Sequence, residues 1–201
     1  MSKQVAGVGL MVAAFTQEEA GKVALKAMEK AQKEKRVFFD AAAVITQSED
    51  GKVHFNETDD MKTGEGAGWG AVVGGVIGIL GGPVGIAAGA GIGAAIGGAA
   101  SHGDAGFSDD SLEKFGSVLN PGTSALITIN NKDFLKTMRE GINEEELQAV
   151  VSKIAEQISS QLNEGKDVIE YLIIGEDGSI LQESTADQDT IKVITTALQE
   201  G

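Results

Sequence analysis

Between Gly66 and Gly98 the chain reads GAGWGAVVGGVIGILGGPVGIAAGAGIGAAIGG, without a single charged residue. Its glycines keep a four-residue period: Gly66, Gly70, Gly74, Gly78 and Gly82, then, after Pro83, Gly85, Gly89, Gly93 and Gly97. That spacing places them along one stripe of a helix. Without Cβ atoms the stripe lets another backbone approach closely, as in small-xxx-small contacts between membrane helices. A flexible Gly/Ser linker keeps no such period and lacks the interspersed Val72, Val76, Ile77, Leu80, Ile86, Ile92 and Ile96. Gly81, Gly82 and Pro83 form the break, because proline inside a helix removes a hydrogen bond and clashes with the preceding turn. Residues 63–103 are therefore predicted to form a glycine-zipper helical hairpin, with these nine glycines as the helix-packing and oligomerisation seam.

Glycine costs about 1 kcal/mol relative to alanine at each interior helix position. Two solvated helices carrying both ladders cannot meet that penalty, so the stripes require burial. A bilayer is one partner, because unpaired backbone in lipid enforces helix formation, and Trp69 is then the interface anchor. Each arm has about 16 residues and reaches ~24 Å, against ~30 Å of hydrocarbon, so insertion implies a thin, tilted or re-entrant hairpin. The other partner is a second copy of the hairpin in a symmetric assembly with a dry core.

The flanks read as ordinary α+β protein. MSKQVAGVGLMVAAF fits a buried first strand, Val5 to Phe15, better than a signal peptide. TQEE then offers Thr16 and Glu19 as a capping box. Ala20, Val23, Ala24, Ala27, Met28 and Ala31 give the following helix an apolar face. Strands are predicted at Ala41 to Gln47 and Lys52 to Asn56 around an Asp50-Gly51 turn. Beyond the hairpin, Ser108-Asp109-Asp110 caps a short helix to about Leu119, and Asn120-Pro121-Gly122 turns into a strand at Ser124 to Asn130. Asn143 and Glu146 form a second capping box before the stripe Leu147, Val150, Val151, Ile154, Ile158 and Leu162. Strands at Val168 to Ile174 and Ser179 to Glu183 flank Asp177-Gly178, and a helix runs from Asp187 to Leu198. EDGKVHFNET at Glu49 to Thr58 lies over EDGSILQEST at Glu176 to Thr185, which suggests an internal repeat. Two β-α-β-β units imply a ferredoxin-like α+β sandwich, or two such units sharing a sheet. The predicted organisation is residues 1–62 as the first half, 63–103 as the hairpin, and 104–201 as the second half packing with the first.

Charge narrows the function classes. The chain carries a formal net charge of -14, against the clustered Lys and Arg that phosphate contacts need, so no nucleic-acid partner is expected. Met1 to Asp60 holds 8 basic and 10 acidic residues, whereas Phe107 to Gly201 holds 7 and 18. There is no cysteine, which excludes disulfides and thiolate metal sites. His54 alternates with Val53 and Phe55 and is expected to face solvent; His102 ends the second ladder, where an imidazolium interacts with a helix C-terminus. Asp59-Asp60 and Asp109-Asp110 lack the spacing of a calcium loop. Gly64-x-Gly66-x-Gly68 lacks a Walker lysine. The lysines of the first helix, interleaved with Glu18, Glu29 and Glu34, read as a solvated face. No catalytic, cofactor or metal residue is expected.

The hairpin followed by SDDSLEKFGSVLNPGTSALITI, Ser108 to Ile129, resembles a widespread prokaryotic family of uncharacterised proteins predicted to be membrane proteins, with LNPGTSAL at Leu119 to Leu126 the most specific match. The resemblance implies a ferredoxin-like domain with a glycine-zipper hairpin, and no catalytic residues. The leading expectation is a non-enzymatic, membrane-associated homo-oligomer with its soluble parts in the cytoplasm. The alternatives are a soluble cytoplasmic scaffold whose hairpins seal a protein core, and a small-molecule-binding ferredoxin-like domain.

Overall fold

The computed structural model describes residues 7–57, 119–130, 144–175 and 179–189, with 191 and 196. The strands draw on near-continuous apolar runs: β1 is Gly7–Phe15, GVGLMVAAF, and β2 is Ala41–Gln47, AAAVITQ. β3 is Val53–Glu57, β4 is Thr123–Ile129, β5 is Val168–Gly175 and β6 is Ile180–Thr185. Helix α1 spans Ala20–Lys33 and α2 spans Glu144–Asn163. One six-stranded sheet in the order β3-β2-β4-β1-β5-β6 contains all the strands of the described residues, and every pairing among them is antiparallel. The chain is thus α+β, as expected. Strands from before and after the glycine segment interleave, since β4 sits between β1 and β2.

The register separates two apolar faces. Ala13 is opposite both Leu126 and Ile169, and Leu126 is opposite Val44. These four residues share one buried cluster with Phe15, Phe39 and, from α1, Leu25 and Met28. The alternate residues, Leu10, Val12, Ala14, Ile45, Ile127, Leu172 and Ile174, are equally buried on the other face. There α2 packs on β5 and β1 through a stripe of Ile154, Ile158 and Leu162. A ferredoxin-like sandwich sets its helices on one face of the sheet; here the two lie on opposite faces, giving three layers among the described residues. The strand sequences explain the difference. β4 is buried at every position, and β1 and β5, apart from Glu170, are apolar on both sides, so water must be excluded from each face.

The Asp50-Gly51 turn forms as predicted, with Gly51 at φ 82 and the Gly51 N–H donating to the Ser48 carbonyl at 2.8 Å. The lysine ammonium of Lys52 and the Ser48 hydroxyl hold the Asp50 carboxyl well below the usual carboxylate range. Asn120-Pro121-Gly122 turns with Gly122 at φ 80. Asp177-Gly178, Asn143 and the short helix before Leu119 lie outside the described residues. Among the described residues no helix is long and apolar enough to cross a membrane.

Candidate functional site

Helix α1 starts later than its capping box predicts. Glu19 is the N-cap and makes no side-chain cap bond. Thr16 instead turns across the sheet: its N–H and its hydroxyl both donate to Asp167 Oδ1, at 2.8 and 2.9 Å. The first-turn donor is satisfied from β4, where Ser124 Oγ accepts from the Gly21 N–H at 2.9 Å and donates to the Gln17 carbonyl at 2.7 Å. Ser124 is fully buried. Gly21 permits this approach, because a Cβ there would lie 3.0 Å from Val44 Cγ1 and 3.1 Å from Ser124 Oγ. The contact sets the rotation of α1: Gly21, Leu25 and Met28 face the sheet, while Val23, expected in the apolar face, is 51% exposed. The LNPGTSAL stretch is therefore a structural device, a turn followed by a serine that caps a helix from the neighbouring strand.

On the opposite face, Glu170 is a charged residue in a run of apolar ones and is buried at 1% exposure. It accepts from the Ser184 hydroxyl, and Gln182, bonded to Gln157 of α2 at 2.8 Å, lies at 3.5 Å. Burial pushes the Glu170 carboxyl above its ordinary value, outweighing the opposing Ser184 and Gln182 hydrogen bonds and the attraction of Lys153. With the folded pKa above the unfolded one, the folded state holds the extra proton in the window from the ordinary glutamate value of 4.5 up to the raised folded value. Stability from this group is full below that window and falls as pH rises through it. Glu170→Gln, which retains an acceptor for Ser184, is expected to remove that decline. Urea melts across the acidic to neutral range test this, and an unchanged pH slope would count against it.

Sequence reasoning missed both Ser124 and Glu170. Glu170 left a readable trace, one carboxylate in VIEYLIIG, whereas the partners of Ser124 are more than a hundred residues away in the chain. His54 is exposed on β3, as expected. Among the described residues no three His, Cys, Asp or Glu side chains gather as a metal site.

Gly66, Gly70, Gly74, Gly78, Gly81, Gly82, Pro83, Gly85, Gly89, Gly93, Gly97 and Trp69 lie outside the described residues, as do His102, the Asp59 and Asp109 pairs and the Gly64 repeat. The points where the chain leaves and re-enters the sheet are described. β3 ends at Glu57, opposite Ala43, whereas β4 begins at Thr123, opposite Gln47. Both are neighbours of β2, so departure and return sit at opposite ends of the sheet. Along β2 they differ by four residues, roughly 14 Å at about 3.4 Å per residue.

A family model described as "Protein of unknown function (DUF1269)" matches residues 67–167. No curated protein and no solved structure matches the chain.

Proposed function

Because the chain belongs to the DUF1269 family of proteins of unknown function, and the matched span joins the ladder from Gly70 to the β4 turn and α2, we propose that it is a non-enzymatic, membrane-associated protein. In this reading the six-stranded domain holds a glycine-zipper hairpin, residues 63–103, that enters the bilayer and packs against other copies. The observation carrying it is the pair of unbroken four-residue ladders around Gly81-Gly82-Pro83. Nine helical glycines cost several kcal/mol in water at about 1 kcal/mol each, and close backbone packing in lipid or between copies offsets that cost. The sheet supplies two fixed attachment points, Glu57 and Thr123.

A second reading has the hairpins sealed against one another in a soluble assembly. Arm length favours it, since ~24 Å of helix falls short of ~30 Å of hydrocarbon. High-speed sedimentation followed by light scattering, with and without detergent, separates the two. Recovery only with detergent is the expected result. Complete recovery in the detergent-free supernatant as a large monodisperse particle would replace insertion with the scaffold, and a monomer there would sink both.

A further inference from the structure

Among the described residues the buried polar side chains are Thr46, Gln47, Thr123, Ser124, Thr128 and Glu170, and of these Glu170 alone can ionise. Its surroundings offer a carboxylate little. On β1 the residue opposite is Val12, flanked on that face by the buried Leu10 and Ala14. Along β5 the same face carries Val168 and Leu172. β6 presents Ser184, directly opposite, and Gln182; its charged residue, Glu183, lies on the other face opposite Tyr171. From α2 come Gln157 and, in the adjoining turn, the charges of Lys153 and Glu156; Lys153 attracts the carboxylate from an exposed position. A carboxylate has room for about four hydrogen bonds. Here the Ser184 hydroxyl is the close donor, and the Gln182 amide at 3.5 Å stands at the far limit of such a bond. Asp167, at the entry to the same strand, instead accepts from both the N–H and the hydroxyl of Thr16.

The same groups tie the edge of the sheet to the helix. β6 is an edge strand and pairs only with β5. Gln182 Nε2 donates to Gln157 Oε1 at 2.8 Å and reaches back toward Glu170, so carboxyl, strand and helix form one run of polar contacts. Otherwise β6 is lightly held, with Leu181 47% exposed and Glu183 and Ser184 exposed as well. Elements with little buried apolar surface open locally at a lower free energy than the whole domain. A charged carboxyl needs water that this seam excludes, and the route that disrupts the least packing is past β6.

We propose that Glu170 is a proton-operated latch on the edge strand: uncharged, it keeps β6 closed against β5 and α2, and on losing its proton to solvent it admits water and releases β6 while β3, β2, β4, β1 and β5 stay paired. Burial makes the closed state hold the proton more tightly. The closed seam is therefore most stable at acidic pH and loosens as pH rises through the window above the ordinary glutamate value of 4.5. The latch does not depend on whether the glycine segment meets lipid or another copy, so it stands or falls apart from that reading.

Native-state hydrogen exchange on the full chain, corrected for the intrinsic pH dependence of amide exchange, tests this. Protection of the Ile180–Thr185 amides is expected to fall by about tenfold per pH unit inside the window, the slope of one linked proton. It should also lie below that of Thr123–Ile129 and depend little on added urea, because local opening exposes little surface. Glu170→Gln should give a flat profile. Ser184→Ala keeps the carboxyl and removes its close donor, so the fall should continue to higher pH, and this variant decides alone if Glu170→Gln does not fold. Protection in β6 that matches β4 in size and in urea dependence would mean that Glu170 meets water only in global unfolding, and would overturn the latch. So would a fall that persists in Glu170→Gln, or one that ends at the same pH in Ser184→Ala as in the unsubstituted chain.

Discussion

A Gly21→Val chain is expected to lose about 3 kcal/mol of stability, a fall of roughly 6–12 °C in melting temperature at the scale of a chain this size. Helix propensity alone predicts the opposite sign, because valine is a better helix residue than glycine by several tenths of a kcal/mol. The tertiary contact reverses it. A Cβ at position 21 meets Val44 Cγ1 at 3.0 Å and Ser124 Cβ at 3.1 Å, with both neighbours buried in the sheet. Overpacking of this kind costs about 1–3 kcal/mol. Lifting the helix also breaks the Gly21–Ser124 bond, leaving a buried donor without an acceptor at about 1–3 kcal/mol. Ser124→Ala removes only the second contribution and should fall between wild type and Gly21→Val. Thermal and urea melts followed by circular dichroism measure both; a Gly21→Val chain as stable as wild type would contradict the packing account.

Replacing Gly74 and Gly89 together by Leu is expected to abolish self-association, lowering apparent assembly affinity by at least about tenfold, since seams of small residues tolerate no branched side chain between close backbones. Both substitutions raise intrinsic helicity and apolarity, so loss of assembly cannot come from weaker helices or poorer partition into lipid. Cross-linking and light scattering in detergent report the effect, with Val73→Leu as a control away from the glycine stripe. Assembly that survives the double substitution would exclude the ladders as the contact surface.

The two expectations draw on different kinds of information. Strand positions were legible because apolar, β-branched runs bounded by turn residues are local: Ala41 to Gln47 is the observed β2, and Asp50-Gly51 makes its predicted turn. The stripe of Ile154, Ile158 and Leu162 was legible for the same reason, since helical periodicity is contained within the helix. The start of α1 was not, because Thr16 has Asp167 as a competing partner that lies beyond the glycine segment. Nor was its rotation. Val23 has the spacing of a core residue but is displaced outward by the one position, Gly21, that fits against Val44 and Ser124.

Sequence by itself determined the α+β class, the described strands, the turns at Asp50-Gly51 and Asn120-Pro121-Gly122 and the period of the ladders, all properties set by neighbours within a few residues. Tertiary structure alone decided that α1 and α2 cover opposite faces, that Ser124 caps a helix from the next strand, and that Glu170 is buried beneath α2. Those outcomes depend on which surfaces remain for burial once two halves interleave in one sheet. Long-range packing settles that competition, and no short window of sequence contains its terms.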